Sequence, residues 1–249
     1  MNPSARALLW PAIATALLFA LLVSLGFWQV RRLGEKEALI ARVERRATQA
    51  PQPIPAPQDW AALRADDYDF MHVRAQGRYI GGRDALIFAA PPEGASPEPG
   101  YWLLTPFALS GGGVVLVDRG FLPASKTDAA SLRAAPSGEA TLVGLLRPPE
   151  RRNPFTPADE PDKGVFYARD PAAIAVALGL ANAAPFALVI DAAPATASDW
   201  PRPLGGVPTI VNNHFSYAVT WFGLSFALLV IFALYARGVL ACANTSKEP

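Results

Sequence analysis

The sequence predicts a membrane protein of the α+β class. Two transmembrane helices flank a mainly antiparallel β domain that lies outside the membrane and carries short helices. Three observations predict it. Uncharged apolar runs of about 21 and about 22 residues, 7–27 and 215–236, stand near the two ends of the 249-residue chain. Charged residues make up only 17%, against about 25% in soluble domains, and mean hydropathy is +0.21. Between the runs lie short β-branched and aromatic segments separated by Gly and Pro, without the strand–helix alternation of a parallel α/β sheet.

At 1.5 Å per residue each apolar run reaches roughly 30 Å, the thickness of a bilayer's hydrocarbon core. Trp10 and Trp28 bracket the first run as interfacial aromatics do, and Pro11 falls in its first turn. A cleaved signal peptide is the alternative. The length of the run, and the Arg31-Arg32 that follows it in place of a small-x-small site, favour an uncleaved anchor. The second run is preceded by Asn212 and Asn213, either of which can cap a helix. Ser216, Thr220, Gly223 and Ala227 fall on one stripe of that helix and are expected to form its seam with another helix. A buried soluble helix is the alternative there, disfavoured by length and lack of charge.

The expected organisation is a membrane helix over 7–30, an extramembrane domain over 31–211, a membrane helix over 215–236 and a tail over 237–249, with both termini on one side. Charge leaves the side open. Arg31, Arg32, Lys36, Arg42, Arg45 and Arg46 after the first span place the domain inside, whereas Arg237 and Lys247 after the second place it outside.

In the middle domain, residues 35–48 continue the first helix in polar form, with Arg42 and Arg46 on a solvated face, and the Pro-rich stretch 51–57 forms an extended linker. Strands are expected over 70–79, 85–89, 102–109, 114–121, 141–146, 165–168 and 186–190. In the first of these, Met71, Val73 and Ala75 share one face and His72, Arg74 and Gln76 the other. Asp170, Pro171 and Gly179 start and stop one short helix. A mainly antiparallel sheet or a partly closed barrel fits this spacing.

Several chemistries are excluded. A net charge of +1 leaves no footprint for nucleic acid. One cysteine and two histidines exclude a disulfide framework and a Cys/His zinc site. Gly111-Gly-Gly lacks the Lys-Ser/Thr of a phosphate loop, and no nucleophile elbow occurs. Asp66, Asp67 and Asp69 read as a solvated loop, His72 as a surface residue and Cys242 as an incidental tail thiol. His214 differs. It stands at the mouth of the second span with Tyr217, Ala218 and Trp221 a turn or two below on the same face. Such an imidazole either ends a membrane helix as a polar residue or supplies an axial bond to a haem iron. Helical phase sets it opposite the small-residue stripe, so the expected direction of the ring is outward, toward lipid or a partner.

A set of motifs in order resembles one family. These are Gly26-Phe-Trp-Gln-Val-Arg-Arg at the end of the first span, Pro99-Gly-Tyr with Thr105-Pro106, and Val115-Leu-Val-Asp-Arg-Gly-Phe-Leu-Pro. They continue with Arg147-Pro-Pro-Glu, Phe155-Thr-Pro and Tyr167-Ala-Arg-Asp, and end with Asn212-Asn-His-Phe-Ser-Tyr-Ala-Val-Thr-Trp-Phe. Together they resemble the Surfeit-locus (Surf) family of cytochrome c oxidase assembly proteins. Asp118 and Phe121 depart from it, standing where the family often has Asn and Trp.

The resemblance implies an inner-membrane protein, in bacteria with its central domain in the periplasm, that serves the respiratory chain. It implies a chaperone that holds haem a near His214 and promotes its insertion into oxidase subunit I, with no enzymatic activity of its own. Subunit I, haem A synthase and membrane lipid are the implied partners, and nucleic acid is not among them. With the domain outside, Trp28, Gln29, Arg31 and Arg32 lie at the depth of His214. They join Tyr217 and Trp221 as candidate cofactor-binding residues, His214 being the metal ligand. Arg31 and Arg32 either neutralise haem propionates or reach lipid headgroups. The competing readings are a cofactor-free membrane scaffold for oxidase assembly intermediates and, more remotely, a haem-modifying enzyme.

Overall fold

The computed structural model describes residues 3–91, 96–191, 200–205 and 212–245. The expected domain end at residue 211 and the tail beyond 245, with Lys247, lie outside the described residues, as does the side chain of Cys242. The chain divides into two compact units, Met1–Arg42 with Thr209–Pro249, and Val43–Pro208.

The first unit is built from two long helices, α1 (Pro3–Ala47) and α5 (His214–Thr245). Both contain stretches long and apolar enough to cross a membrane, of which only 6% and 11% is buried. A soluble domain buries its apolar helices, so these surfaces call for lipid. The less exposed residues of α1 include Thr15, Phe19, Leu22, Gly26, Gln29 and Leu33, and those of α5 include His214, Ala218, Trp221, Ser225, Leu228 and Phe232. Both rows step by alternate fours and threes, the 3.5-residue period of helices that pack along their length. The Phe27 and Phe222 rings meet edge to face at 5.5 Å.

The expected seam is therefore corrected. Ser216, Thr220, Gly223 and Ala227 are all exposed, and a Cβ on Gly223 would meet nothing within 4 Å. The small residue at the contact is Gly26 of α1, where a Cβ would lie 2.6 Å from the Phe222 ring. Small side chains permit close approach only when a partner fills the space they leave, and here a phenyl ring fills it.

The second unit is a β structure with short helices. Its strands are β1 (Gln52–Pro53), β2 (His72–Tyr79), β3 (Ala85–Ala89), β4 (Gly100–Leu109), β5 (Val114–Pro123), β6 (Glu139–Arg147), β7 (Val165–Phe166) and β8 (Ala183–Ile190), and its helices are α2 (Ala65–Tyr68), α3 (Ala130–Arg133) and α4 (Pro171–Ala177). The strand order is β1-β2-β6-β8-β5-β4-β3-β7, and β2 also pairs with β4 through Gly77–Tyr79. That last pairing closes β2, β6, β8, β5 and β4 into a five-stranded ring. Alternate residues of these strands, among them Val73, Ala75, Phe107, Val115, Val117, Phe186 and Leu188, fill the inside, with Trp60 and Tyr68 packed against them. The intervening residues Leu104 and Leu116 face a second cluster with Ala85, Ile87, Phe166 and Ile174 of α4. β5 is thus covered on both faces, which explains its nearly unbroken burial.

The α+β class is as expected, but the sheet is mixed. β1–β2, β3–β7 and β5–β8 pair in parallel. Residue patterns reveal hairpins between neighbouring runs, whereas the β5–β8 pairing joins strands separated by β6, β7 and α4. α4 begins as expected: Asp170 accepts from the N–H groups of Ala172 and Ala173, and Pro171 opens the helix.

Polar residues read as solvated prove to be structural. Arg46 donates to the carbonyls of Asp69 at 2.6 Å and Asp66 at 2.9 Å. Asp69 lies 3.3 Å from the Arg147 guanidinium, which also stacks on Phe70 at 4.2 Å. Burial raises the Asp69 carboxyl above the usual range, and Arg147 opposes the shift. His72 is mostly covered: Nδ1 is 2.7 Å from Gln49 O and Nε2 is 3.0 Å from Asp191 Oδ2. Asp118 is buried on β5, its Oδ1 accepting from Gly120 N–H at 3.0 Å and its Oδ2 lying 4.0 Å from Arg169. Arg169 in turn holds Glu150 at 2.6 Å. Burial pushes the Asp118 carboxyl up from 3.8 to about 6, with Arg169 and the Gly120 N–H pulling the other way.

Candidate functional site

α5 begins at His214, whose backbone N–H donates to Asn212 Oδ1 at 3.4 Å, so a flanking Asn does cap the helix as expected. The first turn places the imidazole on the face that packs on α1. Its Nδ1 lies 2.7 Å from Oε1 of Gln29. Gln29 is only 8% exposed, one turn along α1 from Gly26, the point of closest approach to Phe222. The close packing at Gly26 therefore delivers a polar side chain of one helix to the imidazole of the other.

The outward direction expected for His214 is corrected with the seam. Phase does set it opposite Ser216 and Gly223, but those residues face away from α1, so the ring lies on the packed side. It remains half-buried. Its Nε2 has no hydrogen-bond partner among the described residues, and no cluster of three metal-ligating side chains occurs among them either.

Of the residues singled out by sequence, the structure brings Gln29 and His214 into contact, with Trp221 half-buried on the same row of α5. Trp28 and Tyr217 are 49% and 53% exposed. Arg31 and Arg32 are exposed, and Arg32 pairs with Glu35 at 2.5 Å. Sequence reasoning missed Gly26 and Phe222. The signal that finds Gly26 is the 3.5-residue row running through Leu22, Gly26 and Gln29 in α1; Phe222 stands beside the matching row of α5, next to Trp221.

The donor set suits a porphyrin-bound iron. A half-buried imidazole with one nitrogen engaged and the other without a partner among the described residues could give one bond to such an iron. Indole and phenol rings nearby offer apolar surface, and two guanidinium groups stand at the end of the apolar stretch of α1.

Comparison with known proteins gives one consistent result. The profile of the SURF1 family matches residues 16–226. A SURF1-like protein of Rickettsia felis is 28% identical over 225 residues, covering 90% of this chain and 95% of that protein. Surfeit locus protein 1 of Rattus norvegicus is 33% identical over 215 residues, 80% of this chain and 67% of the rat protein. Surfeit locus protein 1 of Homo sapiens is 32% identical over 232 residues, 86% of this chain and 74% of the human protein.

Proposed function

We propose a function from this premise: the chain belongs to the SURF1 family. The chain is an assembly factor for cytochrome c oxidase that holds haem a transiently at His214 and promotes its insertion into subunit I, without catalysing a reaction itself. The observation that carries this reading is the His214–Gln29 contact, an imidazole and an amide paired at the edge of the apolar stretches of two helices. Ionisable and strongly polar groups at membrane depth are costly, and their presence points to a function.

Bound haem a would supply an iron able to accept a neutral imidazole nitrogen. His214 would offer Nε2. Trp28, Tyr217 and Trp221 would offer aromatic surface to an apolar ring. Arg31 and Arg32 would neutralise propionates through charge-assisted hydrogen bonds, Arg32 sharing its charge with Glu35. Among the described residues His214 would be the one ligand the chain offers to that iron. The site is placed in the bacterial inner membrane with the β unit in the periplasm, and its partners are oxidase subunit I, haem A synthase and lipid. Two exposed apolar helices and relatives in Rickettsia support the membrane setting.

The test is His214→Ala, purified from a strain that makes haem a and assayed as pyridine haemochrome. The variant is expected to lose its haem while keeping its fold and membrane insertion. Full haem retention with an unchanged spectrum would overturn the ligand reading and leave the cofactor-free scaffold.

A further inference from the structure

Gln29 has a role in the helix pair that lining a cofactor does not explain. It stands at 8% exposure in the packed row of α1, between Gly26 and Leu33. An amide in hydrocarbon without a partner is costly, and the partner it meets is His214 Nδ1 at 2.7 Å. The atom of Gln29 that faces the ring is Oε1, a carbonyl oxygen, which only accepts. Facing Oε1, Nδ1 makes a hydrogen bond only when it carries the proton. In a neutral imidazole this leaves Nε2 with a bare lone pair on the other side of the ring.

We propose that Gln29 is a positioning residue: by accepting from Nδ1 it fixes His214 in the Nδ1–H tautomer and presents the Nε2 lone pair to a metal centre. The hydrogen bond also stops the ring from rotating, and it raises the basicity of the nitrogen that is left free. It further joins ligand competence to helix packing. The acceptor belongs to α1 and the ligand to α5, so the imidazole is set only while the two helices are together at Gly26. The proposal rests on the haem reading only for the identity of the metal centre, and the tautomer is a property of the protein alone.

The chain has two histidines, so two imidazoles account for all the histidine signals, and a His72→Gln variant assigns them. The full chain is labelled with 15N-histidine and studied without haem in lipid nanodiscs at about pH 8.5, some two units above free imidazole. Wild type is expected to show His214 with a protonated Nδ1 and a bare Nε2. Gln29→Leu is expected to move the ring toward Nε2–H. Gln29→Glu, which keeps a carbonyl-type acceptor, is expected to retain Nδ1–H. With haem loaded, Gln29→Leu should bind about 10–100-fold more weakly, the usual loss when a ligand's orienting partner is removed. Gln29→Glu should keep its haem at a lower reduction potential, because a carboxylate makes the ring more basic. A residue that merely fills space would move neither tautomer nor potential. An Nε2–H signal in wild type would mean that the amide NH₂ faces the ring and would overturn the proposal, as would an unchanged tautomer in Gln29→Leu. The haem reading fails separately: no haem binding in any form, with the tautomer responding to Gln29 as described, leaves the positioning role standing and removes the cofactor.

Discussion

The helix pair and the β barrel both bury polar side chains, and they satisfy them by different means. In the helix pair the buried polar groups are an amide and a hydroxyl: Gln29, which meets the half-buried His214, and Ser225, which donates to the Phe222 carbonyl of its own helix at 2.7 Å. In the barrel they include charges beside the neutral Thr105: Asp118 is 2% exposed beside Arg169, and Arg119 donates to the carbonyls of Arg133 and Ala134 at 2.8 and 2.9 Å. Hydrocarbon offers an ion neither water nor backbone dipoles, so uncharged amides and hydroxyls are what it tolerates. A protein interior can hold a charge among compensating groups, at the cost of making stability depend on pH. The two regions differ in a second respect. The tight glycines within the barrel's strands, Gly77, Gly100 and Gly144, meet backbone atoms first, whereas Gly26 of the helix pair meets the Phe222 side chain.

The largest expected effect tests that second difference. A Cβ on Gly144 of β6 would lie 2.1 Å from the Val189 carbonyl oxygen and 2.8 Å from Ile190 Cα of β8, and neither atom can move without shifting a central strand. Gly144→Ala is expected to cost about 3 kcal/mol, lowering the melting temperature of the detergent-solubilised chain by about 5–10 °C. A drop within a degree or two would mean that the barrel yields locally, and the contrast with the helix pair would be lost.

What could be read in advance divides along the same line. The apolar runs 7–27 and 215–236 were legible because hydrocarbon demands an uncharged stretch of a set length. β2 was legible from the alternation of Val73 and Ala75, and α4 from Asp170, Pro171 and Gly179. Closure of the ring was not, because the β2–β4 and β5–β8 pairings depend on register between segments whose residues carry no mark of their partner. His72 and Asp191 meet although 119 residues apart, and Arg46 reaches a loop more than 20 positions on, so their polarity alone suggested solvent. At the candidate site, residue type identified His214 and placed Gln29 at its depth. The rule that small residues form seams then chose the wrong face of α5, because the glycine that matters is on α1 and its complement is a phenylalanine.

The next effect in size concerns charge in the barrel. Asp118 titrates near 6 when folded, above the 3.8 of an unperturbed carboxyl. The folded state therefore binds more protons than the unfolded state between those values. The stabilisation from this group is fully present below about 4 and is lost as pH rises through about 6. The difference in pKa sets an upper limit of about 3 kcal/mol on that loss. Asp118→Asn keeps an acceptor for the Gly120 N–H, and Arg169 keeps Glu150. The variant should be more stable than wild type by about 1 kcal/mol at pH 8, with no advantage at pH 4, as read from denaturation midpoints at the two pH values. The opposite sign at pH 8 would show that the Arg169 pairing outweighs the burial of the carboxylate.

The smallest effect is expected at Gly26, the tight glycine of the helix pair. A Cβ on Gly26 would lie 2.6 Å from Cε1 of Phe222, the far part of a side chain that can turn aside. Alanine also favours a helix over glycine by up to about 1 kcal/mol, which offsets part of the strain. Gly26→Ala is thus expected to cost about 1 kcal/mol or less, well below Gly144→Ala, and its signature lies elsewhere. Turning the Phe222 ring spreads the helices one turn from Gln29, so the contact with His214 Nδ1 should weaken and its tautomer become mixed. Shrinking the ring by Phe222→Leu in the same chain should restore both packing and tautomer. A stability loss as large as that of Gly144→Ala, with no rescue by Phe222→Leu, would show that the pair is as unyielding as the barrel. The Gln29–His214 contact would then not depend on how closely the helices approach.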